Sequence, residues 1–103
     1  MKTQQIPSLF ERFHQVAEWR QRIGKRHGLP TVLAITALAC LSGVGQGYRA
    51  VSRFAKRLTK LERRALRCWI HPDTAKAQVP SEAVFQRVLQ KVPRHQIEAI
   101  AMA

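Results

Sequence analysis

The chain reads as an all-α protein, a small bundle of about five or six short helices around a central apolar helix at residues 30–43. Three observations carry that reading. Leu29–Val44, LPTVLAITALACLSGV, is the only long run without a charge, so a helix built from it is apolar on nearly every side and belongs in a core. The segments around it carry apolar residues at spacings of three and four, the signature of amphipathic helices. No segment sustains the period-two alternation of a half-buried strand.

The central run is flanked by Lys25, Arg26 and His27 before it and Arg49 after it, as membrane spans often are. A span needs about 20 predominantly apolar residues. Here Pro30 and the glycines at 43, 45 and 47 cut the helical part short, which favours a buried core helix over a membrane segment.

With 103 residues the chain has room for one domain with a real core. Eighteen Lys and Arg oppose six Asp and Glu, a net charge of +12, and a charge this far from zero opposes compaction unless something anionic binds. Nucleic acid is the commonest such partner. A disordered basic tail has few hydrophobic residues, whereas 46% of this chain is hydrophobic and falls in periodic segments. Cys40 lies in the apolar run and Cys68 beside Trp69, positions where a thiol acts as a small hydrophobe. Pro7 and Glu11 stand where a signal peptide needs an uninterrupted apolar stretch, so a reducing cytoplasm is expected.

In chain order, Leu9, Phe10, Phe13, Val16, Ala17, Arg20 and Ile23 predict an amphipathic helix over residues 8–23 with Ser8 as N-cap. Gly24–Gly28 is a basic loop, and Pro30 starts the central helix in the first turn, where its missing N–H costs nothing. Gly43, Gly45 and Gly47 supply left-handed backbone for a C-cap and a tight turn; a dinucleotide fingerprint needs a preceding strand and a glycine where Tyr48 stands. From Tyr48 to Ile70 there is neither Gly nor Pro. Thr59 and Glu62 have the spacing of a capping box, so this segment is one long helix or, as we favour, two shorter ones. His71-Pro72-Asp73 ends the helical pattern and residues 74–79 read as a loop. Ser81 is the predicted N-cap of a helix burying Val84, Phe85, Val88, Leu89 and Val92, and after Pro93 a short helix restarts around Ile97 and Ile100.

Catalytic and metal chemistry find no local signature. Glu11, Glu18, Glu62, Asp73, Glu82 and Glu98 are scattered among basic neighbours, and the four histidines and two cysteines lack metal-ligand spacing. The chemistry that is present is basic. On a helix, Arg49, Arg53, Lys56, Arg57, Lys60, Arg63, Arg64 and Arg67 fall within an arc of roughly 120°, opposite Val51, Phe54, Ala55, Leu58, Leu61, Ala65, Leu66 and Trp69. Such a face can contact successive phosphates with strong salt dependence, and arginine can read guanine edges in the major groove. Charged residues also cover ordinary solvated faces, but between Arg49 and Arg67 only Glu62 is acidic. Nucleic acid therefore ranks first as a partner, ahead of an acidic protein or an anionic lipid surface.

Residues 19–57, WRQRIGKRHGLPTVLAITALACLSGVGQGYRAVSRFAKR, followed by VPSEAVFQRVLQKV, resemble the N-terminal domain that precedes the catalytic domain in DDE transposases of the H-repeat-associated insertion-sequence class, a similarity that covers roughly residues 19–103. The likeness rests on the basic loop before His27 and Leu29, the apolar helix ending at Ser42-Gly43, the aromatic Tyr48 with the helix to Phe54-Ala55, and Pro80 with Arg87-Val88. Where family members often carry Asp or Ser followed by Thr, this chain has Ala83-Val84. The residues' own spacing gives an amphipathic helix and basic loop over residues 1–28; the resemblance implies a helical transposase-associated domain over 29–103 and an RNase H-like domain with three metal-binding carboxylates beginning about where this chain stops. The resulting expectation is a truncated transposase product that is not an enzyme and takes no cofactor. No catalytic residue is carried over. The expected partner is duplex DNA, at transposon ends or non-specifically, with self-association or a full-length transposase as further partners, and neither a membrane nor a small-molecule substrate. The basic face is a property of this sequence and not of the family. The competing expectation is a dimerisation or docking module whose basic face is merely solvated.

Overall fold

The computed structural model describes residues 6–14, 16, 27–44 and 47–102, and in them six helices: α1 (Ile6–Phe13), α2 (Leu29–Leu41), α3 (Tyr48–Lys56), α4 (Lys60–Ala65), α5 (Glu82–Lys91) and α6 (Arg94–Met102). There is no strand among the described residues; one isolated antiparallel bridge joins Ile70 and Ala77.

Helix α2 is the post of the bundle, as its composition dictates. Ten of its residues are buried, including both threonines, and it packs against α1, α3, α5 and α6. Pro30 sits in its first turn. Its end is a Schellman motif: Gly43 N–H donates to Cys40 O at 3.1 Å, Val44 N–H donates to Ala39 O at 3.0 Å, and Gly43 takes φ +74°. That pairing satisfies carbonyls the helix leaves open, in a conformation that glycine adopts without a Cβ penalty.

Two buried threonines show how an apolar helix carries polar groups. Thr36 Oγ1 donates to Val32 O one turn back at 2.9 Å. Thr31 Oγ1 donates to Leu66 O at 2.7 Å, so the start of α2 is tied to the last carbonyls of α4.

The predicted first helix is shorter and earlier than its periodicity suggests. It starts at Ile6, so Ser8 lies inside it and is not its N-cap, and it ends at Phe13. His14 N–H turns to Glu11 O and Val16 N–H to Phe13 O, bonds of i→i−3 type that close the helix. The predicted continuation over residues 17–23 and the basic loop at 24–26 lie outside the described residues. Ile6, Leu9 and Phe13 are buried against the same core as α2 and α6.

Past α2 the expectations hold more closely. Residues 48–70 form two helices, not one, and the capping box separates them. Ser81 is at the N-cap position of α5, but its hydroxyl makes no capping bond. Phe85, Val88 and Val92 are buried while Val84 and Leu89 are half-buried, and Ile97 of α6 is fully buried. Residues 69–78 are more ordered than a featureless loop: His71 N–H donates to Lys76 O at 3.0 Å and Gln78 N–H to Trp69 O at 2.8 Å, with the Trp69 and His71 rings edge to face at 5.4 Å.

Candidate nucleic-acid interface

Helix α3 follows from its own pattern. Gly47 precedes it at φ +98°, Val51, Ser52 and Ala55 are buried, and Phe54 and Tyr48 are half-buried against the core. Arg49, Arg53 and Lys56 are exposed on the other side. The chain leaves the helix through two tight bonds, Arg57 N–H to Phe54 O at 3.0 Å and Leu58 N–H to Ala55 O at 3.1 Å. Thr59 then restarts it. Its hydroxyl accepts from Glu62 N–H at 3.1 Å while the Glu62 carboxylate accepts from Thr59 N–H at 2.8 Å, which satisfies two open donors of α4 reciprocally.

The eight predicted contact residues are therefore spread over two helices and their connections. Arg49, Arg53 and Lys56 belong to α3, Arg57 caps its C-terminus, Lys60, Arg63 and Arg64 belong to α4, and Arg67 follows it at φ +57°. No single helix face carries the whole stripe. Seven of the eight are exposed. Arg53 and Arg57 line a shallow depression of about 230 Å3 with Val44, Ala50 and Phe54.

Arg63 is used differently from its neighbours. It is half-buried, and its guanidinium donates to three backbone carbonyls: Nε to Leu58 O at 3.0 Å, one terminal nitrogen to Lys56 O at 2.9 Å, the other to Ala77 O at 3.3 Å. It thereby fastens the end of α3 to the Trp69–Gln78 turn, placing a positive charge on open carbonyls at the negative end of a helix. Cys68 is buried nearby and its thiol is pushed up to about 11 by that burial, with the Arg63 charge pulling the other way.

Few acids neutralise this surface. Glu62 is engaged in the capping box, Glu98 pairs with Arg94 at 3.1 Å, and Glu82 pairs with Arg49 at 3.3 Å. The last is solvent-exposed and contributes little. Arg49 also lies 5.8 Å from the centre of the Tyr48 ring. Arg53, Lys56, Arg57, Lys60 and Arg64 make no ion pair among the described residues.

The apolar side of the sequence pattern is only partly right. Val51, Ala55, Leu58 and Leu66 are buried and Phe54, Ala65 and Trp69 half-buried, but Leu61 is 67% exposed. Splitting the segment after Arg57 resets the phase of the second helix, which has no buried residue of its own. Conversely, sequence reasoning missed Lys76. The Ile70–Ala77 bridge brings it beside Lys60 and Arg63 around a depression of about 200 Å3; a lysine in a turn carries no periodic signal that would reveal this.

The fold and this surface define a small helical domain with a basic exterior and a buried central helix that carries no charge. The chain belongs to the DDE_Tnp_1-associated family, whose model matches residues 10–103. It is thus an accessory domain of the DDE transposase class. No curated protein and no solved structure matches it.

Proposed function

We propose that this domain binds duplex DNA for a DDE transposase, through the exposed cations of α3, α4 and their connection. The observation that carries the reading is that Arg53, Lys56, Arg57, Lys60 and Arg64 stand exposed without an acidic partner among the described residues. Unpaired surface cations of this density lower their energy by displacing the counterions condensed on DNA. Arg49 and Arg67 extend the surface at its two ends. Arg63, half-buried on three backbone carbonyls, braces that surface from beneath. Transposon ends or non-specific duplex are the proposed substrates, and a nucleoid-bound location in the cytoplasm follows from them. The reading gives this domain no catalytic step and no cofactor.

A gel-shift or anisotropy titration tests it. Five phosphate contacts predict a slope of about −4.5 in log K against log salt, a loss of about 10²–10³ in affinity between 50 and 200 mM salt. Replacing Arg53, Arg57 and Arg64 together by Glu should abolish the shift at 100 mM salt with helicity unchanged. Equal binding by both proteins would sink the reading.

A second reading is supported by Leu41, Leu61 and Ile70, large apolar side chains that are 55%, 67% and 54% exposed. They suit a docking module for a second copy or for a transposase catalytic domain. Light scattering after size exclusion separates the two: a dimer without DNA, unaffected by the triple Glu variant and unable to shift duplex, favours docking.

A further inference from the structure

We propose that the depression between α4 and the Trp69–Gln78 turn is a phosphate-binding point, lined by Lys60, Arg63 and Lys76, that holds one backbone phosphate of bound DNA. The inference rests on the DNA-binding reading above and adds Lys76, which lies outside the basic segment of the sequence.

Three features carry it. The depression, about 200 Å3, is lined by Lys60, Arg63, Lys76 and Ala77, so three of its four lining residues are cationic and none is acidic. That is room for a phosphate group and a few waters, at roughly 30 Å3 per water. The Arg63 guanidinium is held in place by the carbonyls of Lys56, Leu58 and Ala77 before any ligand arrives. Of the five N–H groups a guanidinium carries, three are used in this way and two remain for an anion. Pre-ordering of that kind removes part of the entropy cost of binding. Finally, Lys60 and Lys76 make no ion pair among the described residues, and the nearest acids in sequence are otherwise placed. Glu62 accepts from the Thr59 backbone, and Asp73 is exposed in the turn without an ion pair to any of the three.

A phosphate group could belong to DNA, to a lipid headgroup or to the free ion. Membership of a transposase-associated family favours the DNA backbone. Arg63 is structural as well as ligand-binding, so the test uses Lys60→Ala with Lys76→Ala, both exposed, in the full chain. Arg87→Ala with Lys91→Ala on the exposed face of α5 is the control of equal charge.

Duplex binding at 0.1 M salt should weaken about 5–10-fold in the Lys60/Lys76 variant and the salt slope should fall by about 0.9, the loss of one phosphate contact. The control should change affinity less than about twofold. Inorganic phosphate titrated into the 15N-labelled wild-type chain should shift the amides of Lys60, Arg63 and Lys76, and these shifts should vanish in the double variant. Wild-type binding to duplex that the double variant matches, or that the control weakens equally, overturns the site and leaves the DNA-binding reading standing. Absence of any wild-type duplex binding fails that reading, and with it DNA as the source of the phosphate. Binding to vesicles of anionic phospholipid that is lost in the variant while duplex binding persists assigns the site to a lipid surface and overturns the proposal.

Discussion

Thr31 shows how one side chain decides whether the basic surface is well placed. Its hydroxyl is buried in the first turn of α2 and donates to Leu66 O at 2.7 Å, where α4 ends. Thr31→Val keeps the shape and removes the donor, leaving a buried carbonyl short of a partner. The expected cost is about 1–3 kcal/mol, read from denaturant unfolding. Cys68 reports the same neighbourhood through pH. Its thiol ionises at about 11 when folded against 9.0 for an unperturbed cysteine, because burial disfavours the thiolate. Between those values the unfolded chain has given up its proton while the folded one keeps it, so the contribution is complete below pH 9 and is lost as pH rises towards 11. Wild-type stability minus that of Cys68→Ala, measured from pH 8 to 11, should fall with pH; a flat difference would contradict the buried thiol. Neither effect could be read from spacing, since both depend on which residue the fold brings against them.

At the scale of elements, the sequence was most legible where a local rule acts alone. The Thr59–Glu62 box and Gly43 mark a start and a stop through bonds within a few residues, and both are made as their spacing implies. Helix α4 has only six residues and no buried side chain of its own, so its cap matters more than in a packed helix. Thr59→Ala should cost about 0.5–2 kcal/mol of local stability, visible as faster amide exchange at Glu62–Leu66 with the α2 amides unchanged. Where periodicity had to be extended across a boundary, it misled. The Phe13–Val16 pattern runs on in the sequence, yet i→i−3 bonds end α1 at Phe13. Leu61 keeps the apolar phase of α3 but belongs to α4, and it emerges exposed.

For the whole molecule the governing quantity is charge. A net charge of +12 on 103 residues opposes compaction by self-repulsion, and the buried apolar α2 holds the chain together against it. Salt screens that repulsion over about 10 Å at 0.1 M. The thermal midpoint should therefore rise between 50 and 500 mM NaCl, by about 4–8 °C for each 1 kcal/mol recovered, over the same range in which DNA binding weakens. A midpoint that falls with salt would show that the surface cations are already paired.

The sequence by itself determined the class of this protein. An uncharged run too short to cross a membrane must be buried, amphipathic segments must turn their apolar faces to it, and an excess of twelve positive charges must lie outside. These are consequences of composition and period, which need no knowledge of distant contacts. Only the tertiary structure decided what each cation does. Arg63 is half-buried on three carbonyls while Arg64 beside it stands exposed, and Lys76 joins Lys60 across the Ile70–Ala77 bridge. The reason is physical: a cation's role depends on the carbonyls, acids and solvent within a few ångströms of it, and those neighbours come from parts of the chain that local spacing does not connect.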